Sequence, residues 1–390
     1  MSVEVLPMAE WRPDMPDLAE ATAIALNVTP VTPMSYGPQP SLSGYSTNAL
    51  DGACIGATTV QGRDLAVYLF AGTSDKLFEM TGTAPSWSDV SGSTFSTAQG
   101  ENWRFDLFNY SAIATNFSNV MQSFALGSSS TFGPLFTAPA WATSTAYSTL
   151  GEYVLANGNR YVLTAAGTSA SPGPGPSGTG SGKSDGTCTW NYQSGAPPRA
   201  GYMCTPKNFL MVGNTNDPVG GLGPQRIWWS ASNDATTWPA PGSNAAIQGM
   251  SDYNDFQGNF GEITGMVDSL ANADVAIFFR HAVWRGLFVG PPDVFDFFPT
   301  ENVRGCPAPN SIVPLGALVY YLGEDGFYLY DGAQSTPIGA NKFDAWFFAN
   351  VNQSAMGNII GAPDVPNRRI IWAFPSKAAT DGVPDSLLIF

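Results

Sequence analysis

Few side chains in this sequence have types and spacing that could do chemistry. The single histidine, His281, allows at most one His-centred dyad and excludes His-rich metal sites. It falls at a hairpin turn, and no nucleophile elbow is recognised to give it a serine partner. Two carboxylate pairs stand out, Asp252 with Asp255 and Glu324 with Asp325. Retaining glycoside hydrolysis needs such a pair about 5 Å apart, and inverting hydrolysis needs more. Arg280, Arg285 and Arg304 are the nearest cluster that could hold an anionic sugar. Oxygen ligands gather at Asn214-Thr215-Asn216-Asp217 and at Asp252 to Asp255, without a twelve-residue EF-hand loop. Both read as solvated Asx-rich loops, and no catalytic residue, metal or cofactor is expected.

Aromatic side chains are the second resource. Trp141, Tyr147, Tyr161, Trp190 and Tyr192 fall in one segment, 139–194. Exposed coplanar rings stack on sugar C–H faces; buried rings make the core of a small domain. Cys54, Cys188, Cys204 and Cys306 form no C-x-x-C pair and no disulfide framework, and read as buried free thiols.

The elements that must position these residues are almost all β. Ala66–Phe70, a turn at 72–75 and Leu77–Met80 make a hairpin. The shape recurs at Trp103–Phe108, at Phe209–Val212 with Arg226–Ser230, and at Val275–Phe279 with Val283–Val289. It recurs again at Ala317–Leu322 with Phe327–Tyr330, and at Arg369–Phe374 with Ser386–Phe390. Once the central segment is discounted, these hairpins recur every ~40 to 65 residues, the period of propeller blades. The fold class is therefore all-β, a degenerate propeller of about six blades, with a β-sandwich as the alternative. Residues 1–62 read as an extended N-terminal arm, with one helix-compatible stretch at Asp17–Leu26. Blades occupy 63–138 and 195–390, and the small inserted β module occupies 139–194.

Ser232-Asn233-Asp234-Ala235-Thr236-Thr237-Trp238 resembles the Asp-box turn of sialidase-type propellers. The likeness implies that Ser232 and Asp234 hold a turn with Trp238 packed beneath. The module places Trp141, Thr145 and Tyr147 before Gly151 and Val154. Asn157-Gly158, Tyr161, Gly167-Thr168, Asp185-Gly186-Thr187 and Trp190 follow. This order resembles carbohydrate-binding modules of the chitin-binding type, which implies a glycan site on the five aromatics or a structural decoration.

The chain has 390 residues, a net charge of −15 and only 12% charged residues. Helical bundles and broad disorder are excluded. The negative charge argues against wrapping nucleic acid, yet suits DNA sliding past an acidic wall. The N-terminus lacks the basic and apolar regions of a signal peptide, and no apolar run nears the ~18 residues of a membrane helix. Folding in a cytoplasm is expected.

The whole pattern resembles the tail nozzle (tail hub) proteins of short-tailed bacteriophages. The likeness is carried by Asn27-Val28 and Tyr36-Gly37-Pro38, by Gly201–Val212, and by Arg226-Ile227-Trp228-Trp229-Ser230 with Trp238. Gly323 to Gly332, a typical blade hairpin, completes it. It implies a non-enzymatic homohexamer in the virion tail, assembled in the host cytoplasm below portal and adaptor. Adaptor and portal-associated proteins would be its partners, with tail fibres or a host-surface glycan as further ones. Genomic DNA would pass without specific binding. A receptor- or glycan-binding protein acting through the module and a sialidase-like hydrolase are the alternatives. The sequence stops inside an apolar strand at Leu388-Ile389-Phe390. Either the sequence is incomplete, or the last blade takes a strand from the arm or from a neighbouring subunit.

Overall fold

The computed structural model describes residues 9–15, 21–32, 35–41 and 43–390. The fold is all-β, a propeller of degenerate blades, each an antiparallel meander in which consecutive strands pair. The chain divides into two compact units.

The unit of residues 45–268 and 287–296 holds the first three blades. Blade 1 is Gly56–Gln61, Val67–Gly72, Leu77–Thr81 and Ser86–Asp89. It begins at Gly56, ahead of the expected 63, because Gly56–Gln61 pairs along its whole length with Val67–Gly72. Blade 2 is Arg104–Phe108, Ser111–Thr115, Gln122–Ala125 and Gly133–Pro134. Blade 3 is Arg199–Cys204, Met211–Asp217, Gly221–Trp229 and Tyr253–Asp255. The sequence from Gly213 to Asp217, which reads as loop, continues a strand through a register shift between Gly213 and Thr215. A left-handed Asn214 sits at that irregularity.

The blades are joined by apolar packing between sheets. Phe70, Leu77, Trp103, Ala112, Phe124 and Phe132 form one cluster between blades 1 and 2. Phe108, Ile113, Leu210, Val212, Trp228 and Trp238 form another between blades 2 and 3. Trp103 is almost fully buried, and its indole donates to the Thr73 carbonyl at 2.8 Å. Gly56 and Gly72 leave the slot it occupies; a Cβ on either would fall inside Trp103.

Between blades 2 and 3 the module forms two small sheets. One pairs Ala146–Tyr147 with Gly167–Thr168, and the other orders Tyr153–Ala156, Asn159–Ala165, Cys188–Ser194 and Lys183–Asp185. Asn157 and Gly158, both at positive φ, make the expected tight turn.

The unit of residues 1–44, 269–286 and 297–390 holds the hairpin of Val275–Phe279 with Val283 onward. The division between units runs through the strands of 263–301, the fourth blade in chain order. Blade 5 is Val313–Leu315, Leu318–Leu322, Phe327–Tyr330 and Ser335–Pro337. Blade 6 shows three strands among the described residues, Ile360–Asp364, Arg369–Phe374 and Ser386–Ile389. Phe327, Phe347, Trp372, Phe374 and Leu388 anchor the core of this unit.

Two α-helices occur among the described residues, α1 (Asn244–Gly249) and α2 (Asp344–Asn350). The helix-compatible stretch Asp17–Leu26 is not helical where it is described, over 21–26; residues 17–20 lie outside the described residues. Thr22 is bonded to the arm instead, through Glu10 and Arg12. Three of the four free cysteines are buried as expected, but Cys54 is exposed, because it lies in the loop ahead of blade 1.

Candidate functional site

The residues singled out for chemistry are held in structural roles. Asp255 receives Arg226 in a two-pronged pair at 2.6 and 2.7 Å, while Asp252 accepts from the Tyr253 N–H. Asp217, at the end of the Asn214–Asp217 run, accepts from Val219 and Gly220 and pairs with Arg226 at 2.9 Å. Glu324 meets His281 Nδ1 at 2.6 Å, linking two hairpin turns. Asp325 accepts from the Tyr328 hydroxyl at 2.9 Å and lies 3.5 Å from Arg304. Of the arginines, Arg285 lies over Phe298 and Arg304 over Tyr328. Among the described residues no group of three or more His, Cys, Asp or Glu could hold a metal ion. One serine motif escaped the sequence reading, Gly182-Lys183-Ser184-Asp185-Gly186, which has G-x-S-x-G spacing. Lys183–Asp185 is a strand of the module, leading through a turn to another strand, so the strand–turn–helix of a nucleophile elbow is absent there.

Three of the five module aromatics make its core, and the other two pack against it. Tyr161, Trp190 and Tyr192 are buried. Tyr147 packs edge-on to Trp190 at 5.0 Å, and its hydroxyl accepts from Ala142 N–H. Trp141 donates to Asp185 at 2.7 Å, and the chain at Gly175 closes over its ring. Three of the five expected stacking rings are thus enclosed, because so small a domain must bury large rings to have a core, while Trp141 and Tyr147 stay partly exposed.

The Asp-box-like turn performs the role its likeness implied, with one exception. Asp234 accepts from Thr236 N–H at 2.8 Å and from the hydroxyls of Thr236 and Thr237. Trp238 is buried beneath it. Ser232 is the exception, since its hydroxyl accepts from Asn233 rather than closing the turn. Arg160, from the module, is buried against the same turn and donates to Thr236 and Thr237. Burial pushes the Asp234 carboxyl up, but the threonine hydroxyls, the Thr236 N–H and Arg160 outweigh it and hold it below its usual range.

Part of the chain's acidity closes turns. Asp64, Asp89, Asp217, Asp234, Asp331 and Asp381 each accept a backbone N–H two residues ahead. These are Asx turns at hairpin ends. The opening strands of blades 1 to 3, together with Ile263–Asp268, pack side by side. Their charged side chains are Arg104 and Arg199 against Asp106 and Asp268, which balance. The acidity is not concentrated on these strands.

The feature with binding geometry is a groove that sequence reading missed. It has a volume of about 850 Å³ and lies between blade 6 and the arm. Trp11 forms part of its wall, stacked on Phe343 and edge-on to Trp346 at 4.9 Å. The arm is fixed there by polar contacts as well. Glu10 pairs with Lys342 at 2.8 Å, and Asp14 accepts from the Ala345 and Trp346 N–H groups at the start of α2. The opposite wall is the edge of Ser386–Ile389. Every residue from Asp385 to Phe390 lines the groove, so it follows the strand's edge rather than one face. Gln39 also lines it, and its side-chain carbonyl is shielded from solvent without a hydrogen-bond partner among the described residues. The sequence signals were Trp11 in a polar arm and an apolar terminal run free of charge and proline.

No family model matches the chain, and no curated protein matches it. Among solved structures it is similar to the Cps50 (Swd1) β-propeller domain of Myceliophteria thermophila, at 9% identity and a TM-score of 0.37, covering 75% of this chain and 87% of that one. It is also similar to apo AztD from Citrobacter koseri, at 11% identity and a TM-score of 0.33, covering 87% and 90%. YCF48 from Cyanidioschyzon merolae matches at 10% identity and a TM-score of 0.32, covering 75% and 88%. Likenesses this loose add nothing to the strand pairing, which is what defines the blades.

Proposed function

We propose that the chain is a structural assembly subunit, in the role its sequence resemblance implies: part of a phage tail nozzle, a homo-oligomer below portal and adaptor through which the genome leaves. The observation that carries this reading is the groove walled by Trp11 and blade 6, a concave surface with aromatic lining suited to a partner. A propeller is the fold the resemblance implied. The candidate carboxylates are engaged in turns and ion pairs, which favours a scaffold over hydrolysis. Net charge adds no support for DNA passage, because the charges on the opening strands of blades 1 to 3 and on Ile263–Asp268 balance. The glycan-binding alternative loses three of its five candidate rings to the module core.

Native mass spectrometry of the purified protein, with electron microscopy of tails containing it, tests the reading. Sixfold rings at the end of a short tail are expected. A protein that stays monomeric and never associates with portal or adaptor would sink it.

A further inference from the structure

Asp344 opens α2 with its carboxyl turned toward blade 5. It accepts one hydrogen bond there, from the Phe327 N–H at 3.1 Å. Gly326 and Gly339 give it room, since a Cβ on either would fall inside that carboxyl. Asp14 of the arm meets the same turn of helix. It accepts from the Ala345 and Trp346 N–H groups at 2.9 and 2.7 Å, and its own N–H donates to the Lys342 carbonyl at 3.1 Å. The first turn of α2 thus carries two carboxyls, one used as its cap and one enclosed beneath it.

The nearby cations are engaged elsewhere. Lys342 and Arg12 both go to Glu10. Arg304 lies at Glu301 and Asp325, and His281 at Glu324. Asp344 has no ion pair among the described residues, and the charges that act on it are those of Asp14 and Asp325. Burial first, and those two charges after it, push the carboxyl up to about 6, against the bond from Phe327. Lifting the arm removes the Asp14 charge, so Asp344 ionises more readily with the arm away than with it docked. Docking therefore takes up a proton. The stabilisation is complete at low pH and is lost as pH rises through about 6.

We propose that the start of α2 is a proton-controlled catch for the arm, which holds it while Asp344 is neutral and loosens it when Asp344 ionises beside Asp14. Trp11, in the same stretch of arm, walls the groove together with Phe343 and Trp346, so loosening at α2 frees that wall to move. The catch needs no partner protein and is independent of the assembly reading.

The test is amide exchange of the full chain between pH 5 and 7.5. It is read by mass spectrometry at Ala345 and Trp346, as protection over the intrinsic rate at each pH. Protection at both should fall at least fivefold across that range, where one pKa unit corresponds to about tenfold. Asp344→Asn copies the neutral carboxyl and still accepts from Phe327. It should hold the acid-side protection at pH 7.5, with less than a twofold change. Asp14→Asn keeps a good cap but removes the charge, so it should flatten the profile too, and it decides the matter if Asp344→Asn does not fold. His281→Gln should keep the parent's fall; it is the control because an imidazole is the competing proton carrier at these pH values. Flat protection in the parent overturns the proposal, as does a fall that survives either Asn substitution or is lost in His281→Gln. An equal fall at the Leu322 N–H, bonded to Ser311 in the core, would report general unfolding and overturns it as well.

Discussion

Asp106 shows how one carboxyl can set the pH response of the molecule. Although the residue keeps some exposed surface, its carboxyl is enclosed. Burial first, and the Asp268 charge second, push it up to about 7, while bonds from Leu107 and Thr205 only moderate the rise. The folded chain therefore binds a proton here that the unfolded chain has released. Stability should fall as pH rises from about 4 through about 7, by a few kcal/mol in all. Asp106→Asn should raise the melting temperature at pH 8 and leave it nearly unchanged at pH 4; equal shifts at both would exclude this role. Trp190 makes a second residue-scale case. Trp190→Ala empties the module's core, at a cost of ~3–5 kcal/mol to the module. Local amide exchange over 146–194 should rise sharply, whereas a purely sugar-stacking ring would leave exchange unchanged.

At the scale of elements, the contacts that matter join segments remote in sequence. Helix α2 starts at Asp344 after Phe343, which supplies no side-chain cap; Asp14 of the arm caps it instead. Asp14→Ala should cost about 1 kcal/mol, as an ordinary N-cap does. It should also loosen the arm, which limited proteolysis near residue 15 would reveal. Equal proteolysis of variant and parent would mean that Trp11 and the Glu10–Lys342 pair hold the arm without the cap. The hairpins show what was legible in advance. Val275–Phe279 and Leu318–Leu322 each alternate with turns whose residues name themselves, and the strands fall there. Asp17–Leu26 read as helix from composition, but its described part bonds to the arm, a contact no local pattern announces.

Across the whole molecule, the two kinds of aspartate pull in opposite directions. Asp89, Asp234 and Asp331 have carboxyls held below their usual range. At Asp89 and Asp234 burial acts the other way, but turn hydrogen bonds and a neighbouring Lys or Arg outweigh it; at Asp331 the backbone bonds lead. A lowered folded value means that their stabilisation is complete above the unfolded pKa and is lost as pH falls through the folded one. With Asp106 acting at the other end, melting temperature against pH should form a dome with its top near pH 4. A profile rising steadily to pH 8 would show that neither group governs it.

The sequence by itself determined the strands, the turns and the all-β class, because hydrophobic alternation and Gly, Asn and Asp at hairpin ends act over a few residues. It also located the aromatics of the module, but not which way they face. Burial is a property of the packed domain: the same five rings could have made a sugar platform or a core, and the core won because a small domain has little else to bury. Tertiary structure alone decided that Asp14 caps a helix more than 300 residues away and that Trp11 meets Trp346. It also set the groove between blade 6 and the arm. Each depends on distant segments meeting in space, and local sequence carries no term for that.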